Sequence, residues 1–269
     1  MNSGDRKIIA AFVAQRMEMG ETEWYFKPDM TLDHSSEAAE TVTSSETVQA
    51  HQNSRSSGGQ VDYQKHVKKT ADSVEVSETA IAQQDTYNDL YNAVNGCTRC
   101  PLHAQRKNFV FGDGNPNADI MFIGEAPGAG EDEQGLPFVG RAGKLLTRMI
   151  EAIKLTRDEV YIGNILKCRP PMNRDPLPQE IELCEPILIR QIEIIKPEII
   201  CALGRIAGQT LLRTKSTLGA LRGRVHDYHG VKLIVTYHPA ALLRNQNWKP
   251  PAWEDLKFLR HEYDGMEIT

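Results

Sequence analysis

The chain reads as an α/β protein, a three-layer sandwich in which a central, mainly parallel four-stranded sheet carries helices on both faces, preceded by a disordered N-terminal extension. Three observations predict this. From Tyr87 onward strand-like and helix-like runs alternate, the signature of right-handed βαβ units. The first of the apolar runs has the length and the Ile/Met/Phe content of a buried strand. Each conspicuous polar loop follows a strand, and parallel strands bring such exits to one edge of the sheet.

Taken in order, residues 6–20 place Ile8, Ile9, Phe12, Val13 and Met17 near helical spacing, so residues 1–32 are expected to hold a short amphipathic helix suited to docking on a partner. Residues 33–86 are rich in Ser, Thr, Glu, Gln and His and contain a Ser-Ser-Gly-Gly turn at 56–59. Such a composition cannot bury enough apolar surface to offset chain entropy, which predicts a disordered linker before a domain at 87–269. Of the 269 residues 40% are hydrophobic, a little low for a wholly packed chain. The net charge of −5 sits in the N-terminal part: residues 1–87 hold 8 Lys/Arg against 14 Asp/Glu, and residues 88–269 hold 23 against 22. No apolar run approaches a membrane span and the N-terminus has no cleavable leader pattern, so a cytoplasmic location is expected.

The organising stretch is Gly124 to Gly143, GEAPGAGEDEQGLPFVGRAG, between the apolar run 118–123 and a helical pattern through Leu145, Leu146, Met149, Ile150 and Ile153. A loop at a strand exit thus combines glycines, carboxylates and one aromatic, Phe138. Glycines there let the backbone approach a ligand. Neither a G-x-G-x-x-G dinucleotide fingerprint nor a Walker A loop is present, because Gly143-Lys144 is followed by Leu145.

Strands are expected at 119–123, 159–163, 198–203 and 231–236, with an extended piece at 224–228 before the His229-Gly230 turn. Helices are expected at 141–154, 178–195, 205–213 and 252–263. The loops from Gly124, from Asn164 to Cys168 and from Tyr237 to Asn245 then converge on one cleft.

Five cysteines occur. Cys201 lies in the apolar run Ile-Ile-Cys-Ala-Leu-Gly and reads as a small buried hydrophobe. Cys97 and Cys100 form C-x2-C; after 67 intervening residues comes Cys168 and, after 15 more, Cys184. A disulfide framework does not suit a cytosolic chain of this size, and only one zinc-type knuckle is present. Spacing alone leaves an iron–sulfur cluster, zinc and unligated thiols open.

With these residues in view, the stretch from about Tyr91 to Arg260 resembles the family 4 uracil-DNA glycosylases, the iron–sulfur members of the uracil-DNA glycosylase superfamily. The likeness rests on Cys97-x2-Cys100, on Gly-Glu-Ala-Pro-Gly at 124–128 with its extension to Gly143, on GNILKCRPP at 163–171, on Cys184, and on HPAALLR at 238–244. It implies a [4Fe-4S] cluster on Cys97, Cys100, Cys168 and Cys184. It also implies an enzyme that flips deoxyuridine out of single- or double-stranded DNA and hydrolyses its N-glycosidic bond. A monomer at the nucleoid is expected, with residues 1–32 available to a repair or replication protein.

Asn164 matches the family's uracil reader, since a side-chain amide offers both a donor and an acceptor to O4 and N3–H. Phe138 would stack on the flipped ring. His238 would stabilise charge developing on the uracil, with backbone groups of Gly124, Glu125 and Ala126 holding the base. Better-known superfamily members carry an Asp where Ala126 stands, so Glu125 becomes the candidate for the water, with Glu131 and Asp132 behind it. Leu242 and Leu243 would wedge into the DNA beside Arg244, and Arg169 opens a loop facing the phosphates. A rival of another class is a non-catalytic iron–sulfur DNA-binding or redox-sensing protein of the same fold, distinguished by cluster-dependent DNA affinity without base release.

Overall fold

The structure, a computed structural model, describes residues 76–266. In chain order it contains helices α1 (Glu78–Ala82) and α2 (Tyr87–Val94), strands β1 (Asp113–Gly114) and β2 (Ile120–Gly124), helices α3 (Ala129–Gln134) and α4 (Arg141–Ala152), and strand β3 (Tyr161–Asn164). Then come α5 (Pro178–Ile195), β4 (Ile199–Leu203), α6 (Arg205–Leu211), α7 (Leu218–Leu221), β5 (Val225–Tyr228), β6 (Val231–Thr236), α8 (Pro239–Arg244) and α9 (Lys249–Asp264). No described helix is long and apolar enough to cross a membrane.

The strands form one sheet in the order β1-β3-β2-β4-β6-β5. The inner four, β3-β2-β4-β6, are parallel. They are the four expected strands. The sheet has six because two antiparallel edges extend it, β1 against β3 and β5 against β6. β1 is two residues of a Gly-Asp-Gly segment and has no strand signal in sequence; β5 is the extended piece at 224–228.

The inner strands are largely apolar because both faces are covered. Successive side chains point to opposite sides. Met121, Ile123, Ile200, Ala202, Leu233 and Val235 pack with Leu188 and Ile192 of α5 and with Ala207 and Leu211 of α6. The alternate set, Ile120, Phe122, Ile199, Cys201, Leu203 and Ile234, packs with Leu145, Leu146, Met149 and Ile150 of α4 and with Leu256 and Leu259 of α9. Cys201 is fully buried on this second side.

The expected boundary at residue 87 falls too late. Ser77 caps α1 by accepting from the Ala80 N–H, and Ile81 is buried with Leu90, Val94, Phe111 and Ile187 in a third cluster against α5. Two apolar side chains, Val76 and Ile81, suffice to dock this short helix, a signal too small to stand out beside its polar neighbours. The expected docking segment at 1–32 and the rest of the linker up to 75 lie outside the described residues.

Candidate active site

The exits of β2 and β3 stand side by side, with Gly124 opposite Asn164 in the parallel ladder. Beyond that pair the ladder continues into the loops: the Gly124 carbonyl accepts from Ile165 N–H at 2.9 Å and the Glu125 carbonyl from Leu166 N–H at 3.0 Å. This fixes the Gly-Glu-Ala segment against the GNILKC segment. Asn164 is only 2% exposed, and its amide oxygen Oδ1 is buried with no hydrogen-bond partner. Buried acceptors are almost always satisfied, so an orphan here marks a place for a ligand donor.

Phe138 is buried and has φ +53°, a left-handed conformation costly for a bulky residue. Its surroundings impose that conformation. The Arg157 guanidinium donates to the carbonyls of Pro137 (2.6 Å) and Phe138 (3.3 Å) and pairs with Asp113 of β1 at 3.1 Å. Gly143 lies against the Phe138 carbonyl so closely that a Cβ would come within 1.7 Å of it. The ring reaches over the β2 exit, where a Cβ on Gly124 would sit 2.6 Å from its Cζ and 2.4 Å from Asn164 Oδ1. Gly124, Phe138 and Asn164 therefore converge at the exit of β2 and β3.

His238 stands beside them. It precedes Pro239 at the start of α8, and its ring centroid lies 5.5 Å from that of Phe138 at an interplanar angle of 33°. Its Nδ1 accepts the Ala240 N–H at 3.1 Å, leaving the ring proton on Nε2 as a donor. Burial, with a smaller contribution from Arg244, holds its pKa down to about 4, so the imidazole is neutral at neutral pH. Gly204 at the β4 exit, φ +93°, makes room, since a Cβ there would come within 2.9 Å of His238 Cβ.

The acidic residues of the loop divide by what they touch. Glu125 is half-buried, and its pKa is raised to about 6 by burial and by Asp175, with Arg205 opposing. Glu131 accepts from Val139 N–H (3.2 Å) and Gly140 N–H (3.3 Å) at the start of α4, and buried Asp132 accepts from Lys107 N–H at 2.9 Å. Glu131 thus braces the loop that carries Phe138, and Asp132 ties the preceding helix to the 107–108 segment. Ala126 packs partly buried against the sheet core.

All four spaced cysteines are buried free thiols on the side of the sheet covered by α5. Cys97 and Cys100 act electrostatically on Cys168, and Cys100 and Cys168 on Cys184, so the four share one neighbourhood. Burial pushes the Cys168 thiol up to about 11. Arg106 bridges the two halves of the motif, donating from Nη1 to the Cys97 carbonyl (2.6 Å) and to Cys168 Sγ (3.3 Å). The Lys167 N–H approaches Cys184 Sγ at 3.4 Å. Among the described residues no three His, Cys, Asp or Glu side chains converge on a single-ion site.

Sequence reasoning missed Lys167. Its side chain is fully buried, donating from Nζ to the Asn164 carbonyl at 2.9 Å and to Gln191 Oε1 at 2.6 Å. Gln191 Nε2 in turn donates to Tyr161 OH at 2.8 Å and to the Phe111 carbonyl at 3.0 Å. A lysine between Leu166 and Cys168, inside an otherwise apolar run, was the available signal, because a buried lysine must find partners. Arg106 and Arg157 carried no such signal.

The wedge assignment needs correction. Leu242 is 2% exposed and belongs to the core with Leu145 and Leu256, because α8 lies against α4 and turns that side chain inward. Leu243 is half-buried, and Arg244 is exposed. Arg169 donates from Nε to Asn173 Oδ1 at 2.8 Å at the base of a surface loop whose Met172 is 93% exposed.

Residues 111–257 match the family described as the Uracil DNA glycosylase superfamily. The chain is 44% identical over 189 residues to a type-4 uracil-DNA glycosylase of Archaeoglobus fulgidus, covering 67% of this chain and 89% of that protein. It is 47% identical over 156 residues to the type-4 enzyme of Thermotoga maritima, 57% of this chain and 81% of that one. Likeness to a type-5 uracil-DNA glycosylase of Pyrobaculum aerophilum is weaker, 29% over 189 residues, 58% of this chain and 83% of that one. The glycine-rich exit of β2, the Asn164 segment and the His238 segment all lie inside the matched region, and the chain belongs to the uracil-DNA glycosylase superfamily, among its type-4 members.

Proposed function

We propose that this chain flips deoxyuridine out of DNA and hydrolyses its N-glycosidic bond, releasing uracil and leaving an abasic site. The observation that carries this reading is the orphaned Asn164 Oδ1 beside Gly124 and Phe138. Uracil N3 bears a proton that this oxygen accepts, while O4 takes the amide N–H. Cytosine presents an unprotonated N3 and an amino group instead, so the same amide meets it with the wrong pairing. Phe138, locked by Arg157 and Gly143, stacks on the extruded ring.

Cleavage leaves negative charge on the uracil, and neutral His238 aims its Nε2 proton toward O2, where a preorganised donor acts most strongly away from bulk water. Glu125, with its raised pKa, holds the attacking water. Leu243 enters the gap left by the base, and Arg244 and Arg169 contact phosphates. The enzyme acts as a monomer on single- or double-stranded DNA, in the cytoplasm at the nucleoid.

Cys97, Cys100, Cys168 and Cys184 hold a [4Fe-4S] cluster. Four buried thiols in one neighbourhood provide the donor set, with Arg106 and the Lys167 N–H already directed at two of the sulfurs. Arg99, within the C-x2-C segment, leaves its Nη1 buried without a partner, a donor suited to an anionic cluster. When bound the cluster cross-links three distant segments and supplies no electron to the hydrolysis. Cys184→Ser is expected to lose visible absorption and thermal stability together.

The test of the activity is release of free uracil from uracil-bearing oligonucleotides without nucleotide or divalent metal, with alkali-labile abasic sites left behind. Cluster-loaded protein that releases none from either strand form would overturn it.

A further inference from the structure

Immediately before His238, Tyr237 meets two planar groups. The Arg222 guanidinium carbon lies 4.2 Å from its ring centroid, and Trp248 stacks on it at 5.4 Å with an interplanar angle of 16°. The ladder is held from behind. Arg222 donates to Asp255 Oδ2 (2.7 Å), to Tyr237 OH (3.2 Å) and to the Pro251 carbonyl (2.5 Å), and the same Asp255 oxygen accepts from Thr236 Oγ1 at 2.6 Å. Asn245 closes the turn, its carbonyl accepting the Trp248 N–H at 3.3 Å.

The ladder nevertheless ends in the open, because Trp248 is 39% exposed. A rigid aromatic face of this kind lacks one partner plane, and every nucleobase has a face to offer. Charge favours the same occupant. Residues 237–253 contain no Asp or Glu, while they carry Lys249 and an exposed Arg244.

We propose that Trp248 is a stacking subsite for an unpaired base flanking the extruded deoxyuridine. The proposal rests on the uracil-DNA reading above and names where the substrate's neighbour goes. A base can reach the ladder only when it has left its own stack, so the subsite favours single strands and frayed flanks over intact duplex. Arg222 and Asp255 are positioning residues, holding Tyr237 beneath the indole.

The experiment uses the full chain with a single-stranded oligonucleotide carrying 2-aminopurine beside deoxyuridine, whose fluorescence falls on stacking. Wild-type protein is expected to quench it on binding. Trp248→Ala is expected to lose the quench and to raise the half-saturating enzyme concentration in single-turnover uracil release by roughly tenfold, with a smaller rise on duplex. Trp248→Phe is expected to keep most of both. Wild-type protein that releases uracil but leaves 2-aminopurine bright overturns the subsite while sparing the glycosylase reading; this arm needs no variant to fold. Trp248→Ala that binds single strands like wild type also overturns it and leaves the indole face to a protein partner. Absence of uracil release by wild type removes the glycosylase reading and the subsite with it.

Discussion

Gly124 and Asn164 face each other across the last rung of the β2–β3 ladder, and the hydrogen that stands in for a side chain on Gly124 keeps the Asn164 amide clear: a Cβ would lie 2.4 Å from Oδ1. Gly124→Ala is therefore expected to displace either the amide or the Phe138 ring. A shift of about 1 Å in such a constellation costs on the order of a hundredfold in rate. Single-turnover uracil release is the measurement, and a rate within twofold of wild type would refute this convergence.

Asn164→Ala removes an acceptor that the folded protein leaves unsatisfied. Loss of uracil pairing is expected to slow the chemical step by roughly a hundredfold or more, while stability changes by only about 1 kcal/mol, since no internal hydrogen bond of Oδ1 is lost. Thermal melting alongside single-turnover kinetics separates the two effects.

The pH profile has an assigned acid limb. Glu125 ionises at about 6, so release is expected to fall as pH drops through that value, whereas His238, held to about 4, stays neutral across the same range. Glu125→Gln is expected to lower the plateau about a hundredfold and abolish the limb near 6. Their stability effects have opposite signs. The raised Glu125 pKa favours the fold below its unfolded value of 4.5, and that gain is lost as pH rises through about 6. The depressed His238 pKa contributes above its unfolded value of 6.5 and is lost as pH falls through about 4.

Lys167→Met leaves the Asn164 carbonyl and Gln191 Oε1 buried without their donor. Roughly 1–3 kcal/mol of stability is expected to go, and with it the alignment of the uracil reader, so melting temperature and single-turnover rate should fall together. Lys167→Arg is not expected to rescue, because a larger, always-charged guanidinium would have to enter a fully buried site. A normal rate in Lys167→Met would uncouple the lysine from Asn164.

The sequence carried the central layer plainly. Runs such as Ile120–Gly124 and Ile199–Leu203 are apolar over their whole length, and a parallel strand buried on both faces requires that within five residues. The helices α4, α5 and α9 announced themselves by periodicity in the same local way. The four cysteines, Asn164, Phe138 and His238 were legible because their neighbours form specific motifs.

What the local pattern could not carry was which partner each side chain would meet. Leu242 and Leu243 are adjacent and chemically identical, and only the seating of α8 on α4 sends the first inward. Glu125, Glu131 and Asp132 look alike in a glycine-rich loop; the fold gives the last two backbone N–H groups to hold and leaves the first half-buried near Asp175 and Arg205. Composition and periodicity, set by near neighbours, determined the inner strands and the longer helices, and the likeness of short motifs to a known family pointed to the candidate residues. Contacts between residues far apart in the chain, such as Arg157 with Phe138 or Lys167 with Gln191, exist only once the sheet is assembled, and they decided the pocket's geometry and charge.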